Sequence, residues 1–447
     1  MINHLGTLWI DYTDMLNWKG HFTGTQRVAY EIANRLNEET DIQVKFFAYD
    51  QDIDVFYEVS KEHVANLFKT QEITDSLEQS FTAVPQSLKS KIRSQLVYAY
   101  HNQLPYSIKK QLTPTRREKI KAAYRKANTL RKRAILKQKS LSSSARDIIS
   151  IQFKTNDTVL ILGKPWDTMP FIDNLRSQKL TNNFRLVHLV YDMIPVFLPH
   201  AFGKPLPQNY TNYIFEALSL SDHILAISKS TAKDIKKFCD LQHMPSPPAT
   251  VIRLGENVVA AVDKAYKIED LKTSEFILCV GTIEVRKNHV LLYTAYKEAL
   301  RNGIKVPPLV IVGGIGWYVN DVVYEFTHDP ELKHLVKIMN RVDDVQLSWL
   351  YRNCKFTVYP SVYEGWGLPI AESLAYGKVC ISSDTSSMTE VAGDLIDYFS
   401  PYDSAACARL IETYLDDKQR TAKETQIRSS YSSVTWDHTY EQVKKVL

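Results

Sequence analysis

The most informative stretch of this 447-residue chain is Ser361-Val-Tyr-Glu364-Gly-Trp-Gly-Leu-Pro369-Ile-Ala-Glu372. Its two glycines allow a ligand to approach the backbone closely and tolerate positive φ angles. Pro369 suits the first position of a helix, whose N-terminus offers free N–H groups and a positive dipole end to a phosphate. We predict Glu372 in the first helical turn, within reach of sugar hydroxyls, and Glu364 just before the loop. The alternative interpretation is a plain strand–helix turn with two surface acids.

A second motif, Val280-Gly281-Thr-Ile-Glu-Val-Arg286-Lys287-Asn288, places two adjacent cations after a predicted strand. Arg286 can bind a diphosphate through its guanidinium fork, and Lys287 can act as a point charge. Taken alone, such a pair is often only solvated. Both motifs, however, follow predicted strands of one domain, and open α/β sheets bind ligands at the carboxyl ends of their strands. Together the two motifs predict a nucleoside-diphosphate site.

Strands and helices alternate along both halves of the chain, which predicts the α/β class with two domains. The first half has predicted strands at 8–10, 42–49, 158–162, 186–190, 223–227 and 250–253 and a helix after Thr23-Gly24-Thr25. The second half has predicted strands at 276–280, 309–312, 356–359 and 379–382 and helices at 290–300, 345–351 and 369–376. Ser228, Ser230 and Thr231 can cap the helix after 223–227. We predict domains over 1–265 and 266–428, a charged linker at 263–275 and a terminal helical segment over 429–447.

Composition narrows the class of protein further. With 44% hydrophobic and 23% charged residues, the chain is globular and not disordered. The five cysteines are odd in number, widely spaced and without a Cys-x-x-Cys pair, so we expect buried thiols in a reducing compartment, with neither a disulfide framework nor a zinc site. The first residues show no signal-peptide pattern, and no apolar run is long enough to span a membrane.

The net charge of +5 is unevenly distributed. Residues 89–146 contain 17 Lys and Arg but a single acid, Glu118, whereas the rest of the chain is acidic. Thr115-Arg-Arg-Glu118 has the form of a capping box, and apolar residues then recur every three to four positions up to Ala134. We predict a basic amphipathic helix within an insertion in the first domain, over about residues 85–148.

Three interpretations of this basic segment compete. It can be a solvated insertion, or it can attach the protein to an anionic membrane surface, where each Lys or Arg adds about 1 kcal/mol. Nucleic-acid binding is the third interpretation and the least favoured one, because Tyr124 is the only aromatic residue between Thr113 and Lys139. Of the three, we expect the membrane surface.

The quoted motifs resemble retaining glycosyltransferases of family 4. Glu364 and Glu372, seven residues apart, match the paired glutamates of that family, and the continuation from Gly377 to Asp394 is similar too. The segment Gly-Thr-Ile-Glu-Val-Arg-Lys-Asn is most similar to bacterial mannosyltransferase-like members. The resemblance is dense over 276–401, weaker in the first half and absent from the basic insertion. It implies the GT-B fold, with two Rossmann-like doubly wound domains facing a central cleft.

The resemblance also implies roles for individual residues at the donor. Arg286 and Lys287 would hold the diphosphate, Glu372 the ribose hydroxyls, and Glu364 would face the donor sugar and phosphate. Further donor contacts would come from Gly281, Thr282, Val342, Gly365, Trp366, Gly367 and Leu368. The family usually needs no metal ion, because basic side chains and the helix end replace it, and no cofactor is expected here. It has no generally accepted carboxylate nucleophile, and front-face substitution with retention is the usual proposal.

In the first half, Thr23-Gly24-Thr25-Gln-Arg27 resembles the loop that closes over the donor, so Gly24 and Thr25 are donor-side candidates. Leu189-Val-Tyr191-Asp192-Met-Ile-Pro resembles the family's His-Asp-x-x-Pro stretch. Tyr191 replaces the usual histidine and can still donate a hydrogen bond to the donor. Asp192 matches the family and is the acceptor-side candidate. The family's last helix crosses back to the first domain, which we expect of the segment after 428.

The expected function is transfer of a hexosyl unit, with mannose from GDP-mannose as the first choice, to a cell-surface polysaccharide or a lipid-linked glycan. The expected location is the cytoplasmic face of a membrane, with peripheral attachment. Two alternatives remain open. One is a GT-B phosphorylase or sugar-nucleotide epimerase, and the other is a non-catalytic protein that binds anionic polymers.

Overall fold

The computed structural model describes residues 6–17, 24–62, 64, 150–163, 165–256, 271, 275–340 and 342–447. The predicted basic helix within 89–146, the whole predicted insertion over 85–148 and most of the predicted linker at 263–275 lie outside these residues. The chain divides into two compact units, Met1–Ala48 with Gln152–Leu447, and Tyr49–Ile151. In the second unit, strand β3 (Val55–Val59) is described, and the ring of Phe56 packs 5.3 Å from that of Tyr49.

The first half of the large unit contains a parallel sheet with the order β2-β1-β4-β5-β6-β7. Its strands are mostly buried, as expected where helices cover both faces of a parallel sheet. The strands are β1 (Leu8–Asp11), β2 (Val44–Asp50), β4 (Thr158–Ile161), β5 (Arg185–Val190), β6 (His223–Ala226) and β7 (Ala249–Val251). The helices are α1 (Thr13–Asn17), α2 (Gly24–Asn37), α3 (Met169–Asn182), α4 (Ile194–Phe197), α5 (Leu206–Leu220) and α6 (Lys229–Leu241).

The second half forms another parallel sheet, with the order β10-β9-β8-β11-β12-β13. The strands are β8 (Ile277–Val280), β9 (Leu309–Val312), β10 (Val336–Met339), β11 (Phe356–Tyr359), β12 (Cys380–Ser383) and β13 (Asp397–Phe399). The helices are α7 (His289–Arg301), α8 (Asn320–His328), α9 (Asp344–Asn353), α10 (Leu368–Ala375), α11 (Met388–Ala392), α12 (Ser404–Leu415) and α13 (Asp417–Ser430). The strand order reverses between β8 and β11, and such a switch point opens a crevice at the carboxyl ends of the strands.

The last helix, α14 (Trp436–Lys444), returns to the first sheet domain. Its Thr439 hydroxyl donates to the carbonyl of Arg253 at 2.8 Å. The Lys444 ammonium lies 2.7 Å from the carboxylate of Glu39, just after α2. The end of the chain therefore ties the two halves together.

The loops at the carboxyl ends of the two sheets contact each other. The carboxylate of Glu390, on α11, accepts hydrogen bonds from the backbone N–H groups of Lys229 and Ser230 at 2.7 and 2.6 Å. The Tyr363 hydroxyl, after β11, donates to Asp234 on α6 at 2.6 Å. The ligand-binding edges of both sheets therefore face one another, and the predicted α/β architecture with two doubly wound parallel sheets is confirmed.

Two further predictions concern the core and the membrane. All five cysteines are unpaired and buried, which confirms that they pack as small apolar residues. None of the helices in the described ranges combines the length and the apolar character that a membrane span requires.

Candidate functional site

A cluster of two buried glutamates and two largely buried cations lies where β8 and β11 end. Arg286 and Lys287 occupy the short helical turn Val285–Lys287 after β8, and Glu364 follows β11. The Arg286 Nη1 donates to Glu364 Oε2 at 2.6 Å, and Lys287 Nζ lies 2.7 Å from the other oxygen, Oε1. Glu284 Oε1 lies 2.7 Å from Arg286 Nε. The structure therefore brings together the two cations and the glutamate that the sequence predicted, and adds a second glutamate.

In Arg286, Lys287 and Glu364, burial and the neighbouring opposite charges act on the pKa in opposite directions. Burial by itself raises the pKa of Glu364, but Arg286 and Lys287 outweigh it and lower that pKa to about 2. Burial lowers the pKa of Arg286, yet the carboxylates of Glu364 and Glu284 raise it above its ordinary value. Burial also lowers the pKa of Lys287, against the opposite effect of Glu364. The cluster has no net charge, so any anion that binds here must share or displace Glu364.

The glycine loop after Glu364 connects the two halves of the molecule. A Cβ atom on Gly365 would overlap the carbonyl oxygen of Tyr191, so only glycine fits this close approach. Gly367 has a φ of 126°, a conformation that side chains disfavour. The Ser387 hydroxyl bonds the carbonyls of Glu364 and Trp366, at 2.9 and 2.7 Å, and fixes the loop.

Two helix N-termini meet beside this loop. Helix α10 begins at Leu368, so Pro369 is at its second position and not, as predicted, at its first. A Cβ on Gly24, the first residue of α2, would lie 3.4 Å from Leu368 Cδ1. Both helices therefore present free N–H groups and positive dipole ends to the same region, next to the cations.

Glu372 lies beyond the first turn of α10, which corrects the prediction for its position. It is buried, and its Oε2 accepts a hydrogen bond from the Tyr351 hydroxyl at 2.8 Å. Burial raises the pKa of Glu372 to about 7. Val342 packs against the core cluster that contains Tyr351. Glu372 and Val342, the residues predicted to meet ribose and base, therefore contact the same buried core cluster.

An ion pair between the two halves lies close to Glu372. Arg27, on α2, is 2.7 Å from Asp344, at the start of α9. Both charges act on the carboxyl of Glu372, Asp344 raising its pKa and Arg27 lowering it. The predicted loop from Thr23 to Arg27 is thus adjacent to the second domain, although Thr23 itself lies outside the described residues.

In the first half, the Tyr191 hydroxyl is hydrogen-bonded within the protein. It lies 2.7 Å from the carbonyl of Leu162 and 3.1 Å from that of Thr25, and the side chain is buried. Its role at the donor stays a prediction, but in this structure Tyr191 supports the start of α2. Asp192 accepts from the N–H of Ile194 at 2.9 Å, and its charge contributes to the raised pKa of Arg286.

The remaining predicted donor residues differ in exposure. Gly281 has a φ of 148° and packs against the stem of Lys287, whereas Thr282 is exposed. Trp366 is buried, and no partner for its Nε1 occurs in the described part of the chain. Among those same residues, no group of three His, Cys, Asp or Glu side chains is arranged to hold a metal ion.

Three residues that support the cluster, Glu284, Asn288 and Tyr359, were not among the predicted site residues. Lys287 Nζ donates to the Tyr359 hydroxyl at 2.6 Å. Asn288, with a φ of 59°, donates to the carbonyls of Pro360 and Pro401 at 3.1 and 2.8 Å. Glu284 and Asn288 were present in the quoted motif, and Tyr359 is the last residue of a predicted strand. Their positions in the sequence alone could therefore have identified all three as candidates.

Comparisons with known proteins agree with this geometry. Residues 263–430 match the family model described as "Glycosyl transferases group 1". The serotype-specific mannosyltransferase WbdA of Escherichia coli is 27% identical over 239 residues, which cover 51% of this chain and 29% of WbdA. The O-antigen chain mannosyltransferase B of Escherichia coli is 30% identical over 269 residues, covering 57% of this chain and 68% of that protein. The matched part thus spans less than a third of WbdA.

Solved structures show the same fold over nearly the whole chain. Anabaena HepE, crystallised with UDP and glucose, superposes with a TM-score of 0.56 and 13% identity, covering 99% of both chains. Sucrose-phosphate synthase from Thermosynechococcus elongatus also gives a TM-score of 0.56, with 14% identity over 99% of this chain and 98% of its own. The fold is the GT-B type that the resemblance implied. The family model, the relatives and the site between two facing sheets lead to one conclusion: this chain belongs to the group 1 glycosyl transferases.

Proposed function

We propose that the chain is a retaining hexosyltransferase that uses a nucleotide-sugar donor, with GDP-mannose as the first choice. The acceptor is a growing cell-surface polysaccharide or a lipid-linked glycan. The observation that carries the proposal is the buried cluster of Arg286, Lys287 and Glu364 beside the N-terminus of α10. The choice of mannose rests on the two Escherichia coli relatives, both of which are named mannosyltransferases.

In this proposal the donor diphosphate binds at the two cations. The phosphate oxygens take over contacts that Glu364 makes in their absence, and the N–H groups at the start of α10 add further donors. Negative charge builds up on the departing nucleoside diphosphate as the glycosidic bond breaks. Fixed positive charges in a buried site stabilise that charge without reorganisation. Arg286 and Lys287 thereby provide what a divalent metal supplies elsewhere, and we expect transfer to be insensitive to chelators.

The nucleoside is assigned to the neighbouring crevice. Glu372 would accept hydrogen bonds from the ribose hydroxyls, with Tyr351 holding its other oxygen, and the backbone at Val342 would border the base. A ribose that donates to Glu372 favours the ionised carboxylate. The donor base and sugar depend on the detailed shape of this crevice.

The proposed reaction exchanges partners at the anomeric carbon with retention. The bond from C1 of the sugar to the phosphate oxygen breaks, and a new bond forms from C1 to the acceptor oxygen on the same face. The acceptor proton passes to the departing phosphate oxygen. Asp192, whose charge acts on Arg286 from the first-domain side of the crevice, would orient the acceptor hydroxyl.

We also propose that the basic segment 89–146 holds the enzyme on the cytoplasmic face of a membrane. The support is its excess of 16 positive charges, since each Lys or Arg adds about 1 kcal/mol near anionic lipid. Flotation with anionic and neutral vesicles tests this part separately, and absence of binding to anionic vesicles at low salt would contradict it.

The activity is tested with purified protein, a panel of GDP-, UDP-, dTDP- and ADP-sugars, and oligosaccharide acceptors. We expect the acceptor to gain the mass of one hexosyl unit with one donor class. Lys287→Ala and Glu372→Ala should abolish transfer. Lys305→Ala, at an exposed lysine in the loop before β9, is the matched control and should transfer normally.

Other outcomes distinguish the alternatives. Turnover of a nucleotide sugar without acceptor indicates an epimerase, and dependence on inorganic phosphate indicates a phosphorylase. Wild-type transfer rates in both site variants would refute the assignment of the site.

A further inference from the structure

The loop after β9 exposes an unusual group of large side chains. Ile315, Trp317 and Tyr318 are 55%, 40% and 62% exposed, although they follow a fully buried strand. We call residues 315–318 the aromatic loop. Contiguous exposed apolar side chains commonly mark a surface that binds a ligand or partner.

The aromatic loop is bonded directly to the loop that carries the two cations. The Ile283 N–H donates to the carbonyl of Gly314 at 2.8 Å, and the Gly316 N–H donates to the carbonyl of Ile283 at 2.7 Å. The Val285 N–H, one residue before Arg286, donates to the carbonyl of Trp317 at 3.2 Å. The aromatic side chains therefore lie beside the proposed diphosphate site.

The same loop contacts the acceptor side of the crevice. The ring of Trp317 meets that of Phe202 edge-to-face, with centroids 5.6 Å apart. The Tyr318 hydroxyl donates to the carbonyl of Phe202 at 3.3 Å. Phe202 belongs to the connection between β5 and α5 that begins at Tyr191 and Asp192. The aromatic loop thus extends from the cations to the segment that holds the acceptor-side candidate.

The backbone of Tyr318 is strained. Its φ of 58° is left-handed, a conformation that is unfavourable for a bulky residue. Strained residues of this kind cluster at functional sites, because surrounding contacts hold them in place. The hydrogen bond to the carbonyl of Phe202 holds Tyr318 in this conformation, and the tyrosine ring remains exposed.

We infer that Trp317 and Tyr318 form a stacking surface for a sugar unit of the acceptor glycan, an inference that rests on the proposed transferase function. A pyranose presents an apolar face of C–H groups and a rim of hydroxyls. Trp and Tyr match it with an apolar ring and a polar group at the edge. Asp321, exposed just after the aromatic loop, and Lys204, exposed just after Phe202, have opposite signs, whereas a membrane-binding patch carries a basic flank.

The test uses the full chain and saturation-transfer NMR with α-linked mannotriose, maltotriose and chitotriose as probes. We expect at least one trisaccharide to bind the wild type, and Trp317→Ala to weaken its affinity by about tenfold or more. Trp317→Phe should restore part of the affinity. Tyr324→Ala removes an exposed aromatic side chain of α8 and is the matched control, with wild-type binding expected.

Stabilisation by GDP and UDP is measured on the same four proteins. We expect it to be equal in all of them, which separates sugar stacking from donor binding. Trisaccharide binding through Trp317 without any nucleotide effect supports the stacking surface while contradicting the proposed transferase. No trisaccharide binding to the wild type, or equal binding to Trp317→Ala, overturns the inference. Loss of vesicle binding in Trp317→Ala, with trisaccharide binding intact, overturns it in favour of a lipid surface.

Discussion

The carboxylate of Glu364 forms ion pairs with both cations, as a phosphate group would. Each of its oxygens lies within 2.7 Å of one cation, and the carboxylate is buried. Without this counter-ion, two adjacent buried positive charges would be costly. We therefore expect two consequences of Glu364: it offsets the charge of the two cations in the folded protein, and it competes with the donor.

Replacing Glu364 with Gln separates these consequences. Because the pKa of Glu364 is lowered to about 2, its stabilisation is present above about pH 4.5 and is lost as the pH falls towards 2. We expect Glu364→Gln to lower the free energy of unfolding by about 3 kcal/mol at neutral pH, and less below about pH 4. GDP or UDP should raise the melting temperature of the variant more than that of the wild type. An equal or smaller rise would show that Glu364 does not compete with the diphosphate.

For Glu372 we predict the opposite dependence of protein stability on pH. Its pKa is raised to about 7, so folding disfavours the charged form, and the stability of the protein falls as the pH rises from about 4.5 to about 7. Glu372→Gln keeps the acceptor for the Tyr351 hydroxyl without the charge. The variant should exceed the wild type in unfolding free energy by up to about 3 kcal/mol near pH 8, with most of the gain lost near pH 5.

Chemical denaturation at both pH values measures this effect, with Glu412→Gln on the surface of α12 as the exposed control. A gain that is the same at both pH values would contradict the buried, uncharged state of Glu372. We expect the stabilised variant to bind nucleotide poorly, since stability and function often conflict at such residues.

At this scale the sequence predicted which residues meet, but not all their partners. Arg286, Lys287 and Glu364 converge because each follows the carboxyl end of a strand, a rule that needs no three-dimensional information. The hydroxyl of Tyr191 bonds to Leu162 and Thr25, and Glu372 bonds to Tyr351. Those partners depend on tertiary packing, which the local pattern does not encode.

Among the elements, the glycine loop between β11 and α10 has the least tolerance for change. Gly365→Ala would place its Cβ against backbone atoms of Tyr191, which belong to the other half of the molecule. The two halves would have to separate, and we expect kcat/KM to fall by about a hundredfold, because small displacements of catalytic groups have effects of this size.

Gly314→Ala is the matched control, since a Cβ there meets nothing within 4 Å. Steady-state kinetics of both variants measures the difference, and far-UV circular dichroism confirms that they are folded. Near-wild-type activity of Gly365→Ala would mean that the contact with Tyr191 is not part of the active arrangement.

Sequence patterns predicted the central strands better than the edges of the sheets. Apolar runs such as those of β4, β8 and β9 are buried on both faces, and their composition alone indicates a parallel strand. The prediction missed β10, whose residues are only half buried, and the three-residue β13. Helix α6 was predicted through Ser228, whose Oγ accepts from the Thr231 N–H at 2.9 Å.

At the scale of the whole molecule, the described contacts hold the two carboxyl edges together. Glu390 caps the N-terminus of α6, Tyr363 bonds to Asp234, and α14 crosses back to α2. Closure of this kind excludes water from a diphosphate site and strengthens its electrostatics. The doubly wound halves followed from the alternation of strands and helices. The polar contacts between them could not be predicted, because they join residues more than 100 positions apart.

We propose above all that Lys287 and its neighbours hold a nucleoside diphosphate between the two halves. Isothermal titration of GDP and UDP into the wild type, Lys287→Ala and Lys305→Ala tests it most directly. We predict that at least one nucleotide binds the wild type and Lys305→Ala equally, and binds Lys287→Ala about tenfold or more weakly, a loss of about 1.4 kcal/mol or more. Equal affinity for Lys287→Ala, or no binding of either nucleotide to the wild type, would contradict a diphosphate site at Lys287.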